Sequence, residues 1–301
     1  MKMTDQQRAG RPVCRPGPHL RSAAWAALLA AALAAGAAGC SAGSGGGSSD
    51  RQSSAPDQLA ADPLTAVRNA ADITGRTGSA HTATELVTES AEKKASFSGT
   101  GGYDYVKRIG RLEVQVPPGA ATTGKIVEVV LPGTVYLQNS GAKVPEGKWV
   151  KLDVRQLPDG NLVSSGATDP ASAAGALRGA QKADAVGTET VDGVALHHYR
   201  GTLDLAKAAD ATGGRGGDGL RMGGQTFTVK EVPYDAWLDD QGRLHKVVEV
   251  FTFAGVAGSK EPKDQVKVTS TVSMADFGKP VEAAEPSASD IYQMKPTESP
   301  K

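Results

Sequence analysis

Alternating residues decide the fold, and the clearest case is the stretch from 266 to 274, which reads VKVTSTVSM. Val266, Val268, Val272 and Met274 alternate there with lysine, threonine and serine. Successive side chains of a β-strand point to opposite faces, so a period of two predicts a strand with one apolar and one solvated face. Strands of this kind are typical of antiparallel sheets.

The same alternation recurs along the chain. Residues 112–116 and 150–154 alternate in this way, whereas residues 125–131 and 244–253 are more evenly apolar and are expected to be covered on both faces. Turns that contain proline or glycine separate these runs. We therefore predict about ten antiparallel strands between residues 80 and 275, in a mainly β fold of the α+β class.

Short helices are predicted at three places. An aspartate followed by proline favours a helix start, so Asp62-Pro63 predicts a helix over residues 63–74. The same pair at Asp169-Pro170 predicts a helix to about residue 183, and residues 203–209 form a third, shorter candidate. The glycine-rich stretch 213–224, GGRGGDGLRMGG, is expected to be a flexible loop.

Composition and motifs argue against catalysis and nucleic-acid binding. The 301 residues carry 33 basic and 33 acidic side chains, whereas a nucleic-acid binder needs a basic excess. Two cysteines cannot form a disulfide framework or a four-thiolate zinc site, and the adjacent His197 and His198 would point to opposite faces of a strand. No HExxH or GxSxG motif occurs. We expect a non-enzymatic protein without metal or cofactor.

The N-terminal residues have the layout of a secretory signal. A basic segment with five lysines and arginines and one aspartate precedes thirteen consecutive apolar residues, Ala23 to Ala35, which are too few to span a membrane. Small residues then lead to Cys40. This arrangement resembles a bacterial lipoprotein signal, in which the cysteine is diacylated and becomes the new N-terminus. An ordinary secretory signal with an unrelated cysteine is the alternative.

The resemblance divides the chain at Cys40. Residues 1–39 are expected to be a signal peptide, and residues 40–61 a lipidated cysteine with a serine- and glycine-rich tether. No break in composition divides residues 62–280, so they are expected to form one domain, followed by a proline-containing tail over 281–301. Residues 1–39 hold five basic side chains and one acidic one, so the rest of this charge-balanced chain is mildly acidic.

Three short stretches resemble the LppX/LprG-type lipoproteins of actinobacteria, which share the LolA-like fold. They are KWVKL at 148–152, VPYDAWLDDQGRLHK at 232–246 and ADFGKPV at 275–281. The resemblance covers most of residues 62–290 in order and in short signatures. It implies a curved antiparallel sheet that forms an unclosed half-barrel, with a few short helices on its concave side. In that family the concave side holds acyl chains.

The helices offer few large apolar side chains, chiefly Leu64, Val67 and Leu177, whereas the strands offer many. An apolar sheet that small helices do not fill leaves room for a ligand. For Trp237 two alternatives stay open, a core residue or an aromatic wall of the cavity. The residues expected to line the cavity are Leu112, Val114, Ile126, Val135, Leu137, Trp237, Phe251, Phe253, Val268 and Val272.

Two functions follow from the resemblance. The first is a lipoprotein anchored through Cys40 to the outer face of the cell membrane, which binds and carries or presents an acyl lipid or lipoglycan. Two acyl chains would give stable anchoring where one would be marginal. The alternative is an envelope sensor or scaffold that uses the same fold to contact a protein partner. No nucleic-acid partner is expected.

Overall fold

The computed structural model describes residues 58–293, apart from 92, 118–123, 140–143, 158–161, 164–168, 254–260 and 262–263. The predicted signal peptide, Cys40 and most of the tether therefore lie outside the described residues, as do residues 294–301 of the tail. Within the described chain, no helix is long and apolar enough to cross a membrane.

One antiparallel sheet contains all eleven described strands. They are β1 Ser79–Glu89, β2 Lys94–Asp104, β3 Ile109–Gln115, β4 Lys125–Leu131, β5 Thr134–Gln138, β6 Trp149–Asp153, β7 Ala180–Val191, β8 Val194–Asp204, β9 Glu231–Leu238, β10 Leu244–Phe253 and β11 Val266–Ala275. The helices are α1 Pro63–Arg76, α2 Pro170–Ala176, α3 Leu205–Thr212 and α4 Gly214–Thr226.

The strand order is β6-β5-β4-β3-β2-β1-β11-β10-β9-β8-β7. Strands β1–β6, here the first half, form one meander, and strands β7–β11, the second half, form another. Antiparallel pairing of β1 with β11 joins the two halves. Strands β6 and β7 remain as edges, so the sheet does not close. The predicted mainly β, unclosed half-barrel is confirmed, with eleven strands in the described chain.

Strand register assigns each side chain to a face. Val272 pairs with Thr84 of β1 and with Val247 of β10, and paired residues in an antiparallel sheet share a face. The face that carries Val247 and Val272 also packs against Val67 and Leu177 of the helical layer, and we call it the inner face. The alternation predicted for residues 266–274 is present, because the even-numbered residues from 268 to 274 are buried on it.

Two helices begin where the sequence predicts. The carboxylate of Asp62 accepts from the backbone N–H of Thr65 at 2.8 Å, and Asp169 caps α2 in the same way. However, α2 ends at Ala176, a 3₁₀ turn follows, and strand β7 begins at Ala180. The expected helix to residue 183 is therefore too long. A Cβ on Gly179 would lie 2.2 Å from the Asp204 carbonyl oxygen, so the chain passes the start of α3 too closely for a longer helix to pack there.

The expected flexible loop over residues 213–224 is wrong, because this stretch is helix α4. Glycine in a helix interior costs about 1 kcal/mol relative to alanine, so sequence alone disfavours a helix here. Packing against α3 offsets that cost. A Cβ on Gly217 would lie 2.4 Å from the Ala209 carbonyl oxygen, so only glycine allows the two helices to approach this closely.

The tail is described up to residue 293. It crosses the face of the first half that is opposite to the inner face, and we call this the outer face. The Tyr136 hydroxyl donates to the Glu285 carboxylate, and Lys151 pairs with Glu285 at 3.2 Å. Further on, the N–H of Tyr292 donates to the carbonyl of Trp149 at 2.7 Å. The tail therefore covers the edge strand β6.

Candidate functional site: an arginine-lined cavity beside an apolar sheet face

The inner face carries two separate apolar clusters. In the second half, strand residues such as Phe251 and Val272 pack with Val67, Leu177 and Leu220 of the helical layer. In the first half, a cluster of seven buried strand residues lies on the same face. Among the described helical residues, Ala171 of α2 and Val154 of the short 3₁₀ turn after β6 pack against it. We call this set the first-half cluster: Tyr103, Leu112, Val114, Ile126, Val130, Val135 and Leu137.

Nine of the ten predicted lining residues lie on the inner face. Five of them belong to the first-half cluster: Leu112, Val114, Ile126, Val135 and Leu137. Phe251 and Val272 lie in the second-half cluster, Phe253 packs against it, and Val268 is buried opposite Phe251. The structure therefore divides the predicted set between two places, and contact with a ligand remains a prediction for each of them.

Trp237 requires a correction, because it lies on the outer face. Its register partners are His198 and Lys246, and its ring stacks on the imidazole of His198 with 4.3 Å between ring centroids. The indole N–H donates to Glu189 at 2.9 Å. The alternation of β9 explains this placement, since the neighbours Ala236 and Leu238 both belong to the inner-face core. Trp237 is removed from the proposed lining.

A cavity of about 290 Å³ lies where the two clusters meet. Tyr103 and Val130 of the first-half cluster form one side, and Ala71, Ala174 and Leu220 of the helices form another. None of the ten residues predicted from the sequence lines it. The cavity lies between the sheet and the helices, and apolar and polar groups contribute about equally to its wall.

Three arginines reach this cavity from different elements: Arg108 from the β2–β3 turn, Arg178 from the turn after α2, and Arg215 from the first turn of α4. Arg178 pairs with Asp72 at 2.5 Å. Arg215 donates to the carbonyl of Pro132 at 3.3 Å, across from α4 to the β4–β5 turn. Neither Arg108 nor Arg215 has a carboxylate at ion-pairing distance within the described chain.

Arg108 has an unusual backbone conformation. Its φ of 58° lies in the left-handed region, which glycine or asparagine adopts far more readily than arginine. The guanidinium lies close enough to Tyr103 to oppose the rise in the pKa of its hydroxyl, and one of the guanidinium nitrogens would lie 2.8 Å from a Cβ on Gly216. Strained positions of this kind concentrate at binding sites, because the surrounding structure must hold them.

Among the described residues, one carboxylate lies on the cavity wall, and it already accepts several hydrogen bonds. Asp169 accepts from the Ser172 hydroxyl at 2.7 Å and from the backbone N–H groups that begin α2. Burial raises the pKa of Asp169, and burial also raises the pKa of the Tyr103 hydroxyl well above its usual range. Positive charge therefore dominates the cavity.

A second buried carboxyl lies apart from the cavity, on the inner face of the second half. Glu249 of β10 is fully buried opposite Ser270 and Tyr234, and among the residues that the structure describes neither of its carboxyl oxygens has a hydrogen-bond partner. Burial raises the pKa of Glu249 to about 8, so this carboxyl is mostly protonated at neutral pH. The sequence signal for this buried carboxyl is a lone glutamate within the largely apolar run 244–253.

Comparison with known proteins gives structural neighbours only. The sequence matches no protein-family model and no curated protein. LprF from Mycobacterium bovis has 14% identity and a TM-score of 0.42, with 77% of this chain and 100% of that chain covered. For LppX from Mycobacterium tuberculosis the values are 12%, 0.43, 73% and 97%. A LolA-superfamily protein from Nitrosomonas europaea has 10% identity and a TM-score of 0.32, with 78% and 99% covered.

These neighbours are of the kind that the sequence resemblance indicates. All three identities and TM-scores are low, so the function proposed below rests on the residues of this chain. Among the described residues, no group of three histidine, cysteine, aspartate or glutamate side chains is arranged to hold a metal ion.

Proposed function

We propose that this chain is an envelope lipoprotein that binds an acyl lipid or lipoglycan along the inner face of the first half and carries or presents it without catalysis. One observation carries the proposal. The first-half cluster places seven apolar residues on one sheet face, and within the described chain the helical residues that pack against it are Ala171 of α2 and Val154 of the short 3₁₀ turn after β6. The adjoining cavity opens between this cluster and the helices.

The cavity size limits what it holds. Ligand pockets for small molecules usually measure about 300–1,000 Å³, so a cavity of about 290 Å³ fits a headgroup or part of one acyl chain. Acyl chains of a whole lipid therefore need the cavity to extend along Leu112, Val114 and Val135. Burial of a methylene group contributes about 0.8 kcal/mol, so such an extension would give substantial affinity.

Lipid content is the first measurement. The whole chain with Cys40→Ser, secreted from a bacterial host and purified without detergent, is examined by native mass spectrometry before and after organic extraction. Bound acyl lipid at a discrete mass supports the proposal. Protein that is free of lipid, and that takes up no fluorescent fatty acid, contradicts it.

A matched pair of alanines locates the ligand. Ala171 lies beside the cavity and the first-half cluster, whereas Ala206 of α3 is exposed. Ala171→Phe fills space at the junction and is expected to lower uptake of a fluorescent fatty acid at least fivefold, whereas Ala206→Phe leaves it unchanged. Equal uptake by both variants contradicts this position for the ligand.

We propose that Cys40 carries the membrane anchor, with residues 1–39 removed as a signal. The small residues before Cys40 and the serine- and glycine-rich segment after it support this. Cys40→Ser is expected to release the protein into the medium, whereas the unaltered chain fractionates with membranes. Membrane retention of Cys40→Ser would show that the anchor lies elsewhere.

A second candidate function is contact with an envelope protein through the edge strand β7. This strand has twelve residues, residues 184–190 are all exposed, and in the described sheet it pairs only with β8. Exposed edges of this length accept an extended segment of another chain. A photo-crosslinking residue at Thr188 should then yield one discrete adduct in cells, and the same residue at exposed Val106 should not.

A further inference from the structure

We infer that the arginine-lined cavity binds a phosphate group, carried by the headgroup of an anionic lipid. This inference rests on the lipid-binding function proposed above and names the chemistry of its ligand. It depends on the charges of the cavity, on the partners that those charges lack, and on the apolar wall beside them.

The charge is in excess and accessible. Arg108, Arg178 and Arg215 all line the cavity, and the pairing with Asp72 engages Arg178 alone. Asp169, which Ser172 and the start of α2 hydrogen-bond, is close enough to Arg108 to interact with it, but one carboxylate against three arginines leaves an excess of positive charge on the described cavity wall. Arginine presents planar, paired N–H donors that match the oxygens of a phosphate.

Arg108 and Arg215, which have no ion-pair partner among the described residues, are held at one wall. Arg215 opens α4, and a guanidinium nitrogen of Arg108 lies against Gly216, the next residue along that helix. The absence of a side chain at Gly216 makes room for Arg108, since a Cβ there would lie 2.8 Å from the guanidinium nitrogen. The left-handed backbone of Arg108 directs an arginine into this space at a conformational cost.

The opposite wall suits the apolar part of an amphiphile. Val130 and Tyr103 line the cavity and also belong to the first-half cluster, so the charged end and the apolar sheet face are continuous. A phosphate at the arginines would therefore leave the attached glycerol and acyl chains pointing toward Leu112 and Val114. A free inorganic phosphate would use the charged end alone.

Three probes separate these sources. The whole secreted chain with Cys40→Ser is titrated with dihexanoyl phosphatidic acid, with dihexanoylglycerol and with inorganic phosphate, by calorimetry at low and high salt. The phosphatidic acid is expected to bind at least about tenfold more tightly than the glycerol compound, because charge-assisted hydrogen bonds add to the apolar contact. High salt is expected to reduce this difference.

Matched variants assign the effect to the cavity. Arg215→Gln is expected to weaken binding of the phosphatidic acid about tenfold and to leave dihexanoylglycerol unchanged. Arg221→Gln is the control, since Arg221 lies on the same helix and pairs with Asp210 and Asp218 away from the cavity. Arg108→Gly removes the guanidinium and suits the left-handed backbone, so it is expected to fold well and still lose affinity.

The outcomes decide between the two proposals. Equal binding of both lipids, unaffected by Arg215→Gln and Arg108→Gly, overturns the phosphate site and leaves lipid binding in place. Arginine-dependent binding of inorganic phosphate without binding of either lipid supports the anion site, and it overturns both the lipid source and the lipid-binding function. Binding of no probe overturns both proposals. Loss of affinity in Arg221→Gln as well would show a general charge effect and would also overturn the site.

Discussion

The two halves of the sheet have the same period of two residues, but they bury their inner faces differently. Helical residues such as Val67, Leu177 and Leu220 pack directly on the second half. On the first half, the helical contacts within the described chain are two small or medium residues, Ala171 of α2 and Val154 of the 3₁₀ turn after β6. The strand pattern alone therefore does not determine where a ligand can bind. The position of the helices over the sheet makes the difference.

The edges of the two halves differ in a related way. The tail crosses the outer face of the first half and pairs with its edge at Trp149 and Ile291. The second half ends at the edge strand β7, in which residues 184–190 are all exposed. Helices thus cover the inner face of the second half, whereas the tail covers the outer face of the first half.

Truncation of one leucine in each half gives the largest expected effect. Leu238 and Leu112 are both buried on the inner face, in the second and first halves respectively. Leu238→Ala is expected to lower the free energy of unfolding by about 3–5 kcal/mol, and Leu112→Ala by about 2 kcal/mol. The smaller value reflects a region that can adjust to a ligand. Equal losses in urea unfolding of lipid-free protein would remove this contrast between the halves.

Glu249→Gln tests burial of the carboxyl in the second half. The pKa of Glu249 rises from 4.5 to about 8 on folding, so between these values the unfolded chain loses a proton that the folded chain retains. Stability of the unaltered protein is therefore expected to fall as pH rises, by about 1.4 kcal/mol per pH unit across this window. Glu249→Gln should remove this slope and be more stable at pH 8.

The control for that measurement is Glu231→Gln, because Glu231 is exposed at the start of β9. It should retain the full pH dependence of the unaltered chain. Unfolding midpoints between pH 5 and pH 8 give the answer, and a slope in Glu249→Gln equal to that of the unaltered chain would assign the effect to other groups.

Tyr136→Phe tests the tail on the first half. Loss of the hydroxyl donor to Glu285 is expected to lower stability by about 1 kcal/mol, the usual net contribution of one such bond. Hydrogen exchange at the N–H of Tyr292 should speed up, because that group pairs with Trp149 further along the tail. Unchanged exchange would mean that the tail holds to the edge independently of Tyr136. Tyr234→Phe, which removes the hydroxyl donor to the Lys182 carbonyl in the second half, should leave Tyr292 exchange unaltered.

Trp237→Phe has the smallest expected effect. Since Trp237 lies on the outer face against His198 and Lys246, uptake of a fluorescent fatty acid should stay within about twofold of the unaltered chain. A loss comparable with that of Ala171→Phe would restore Trp237 to the ligand site.

Much of the architecture was predictable from residues close together in sequence. Alternation over 266–274 gave a strand with the expected buried side, and Asp62-Pro63 and Asp169-Pro170 gave helix starts. The face of Trp237 was also predictable, because Val232, Tyr234, Ala236 and Leu238 form an apolar series at alternate positions that excludes Trp237. The structure buries all four of these side chains.

The rest depended on contacts between distant residues. Helix α4 forms in a glycine-rich segment because Gly217 allows close packing on Ala209 of α3. No pattern of neighbouring residues predicts this close approach of the two helices. In the same way, no spacing motif links Arg108, Arg178 and Arg215, which come from three separate turns and helix ends and meet only at the cavity.

The sequence by itself determined the elements of this protein, because side-chain alternation and helix capping are set by neighbours along the chain. It determined an antiparallel, mainly β fold and the set of apolar residues available to an inner face. Only the tertiary structure decided which half of that face the helices occupy, that three arginines share one cavity, and that Glu249 is buried with no hydrogen-bond partner in the described part of the chain. The physical reason is that burial and electrostatic environment are properties of packing, and packing joins residues that the sequence keeps far apart.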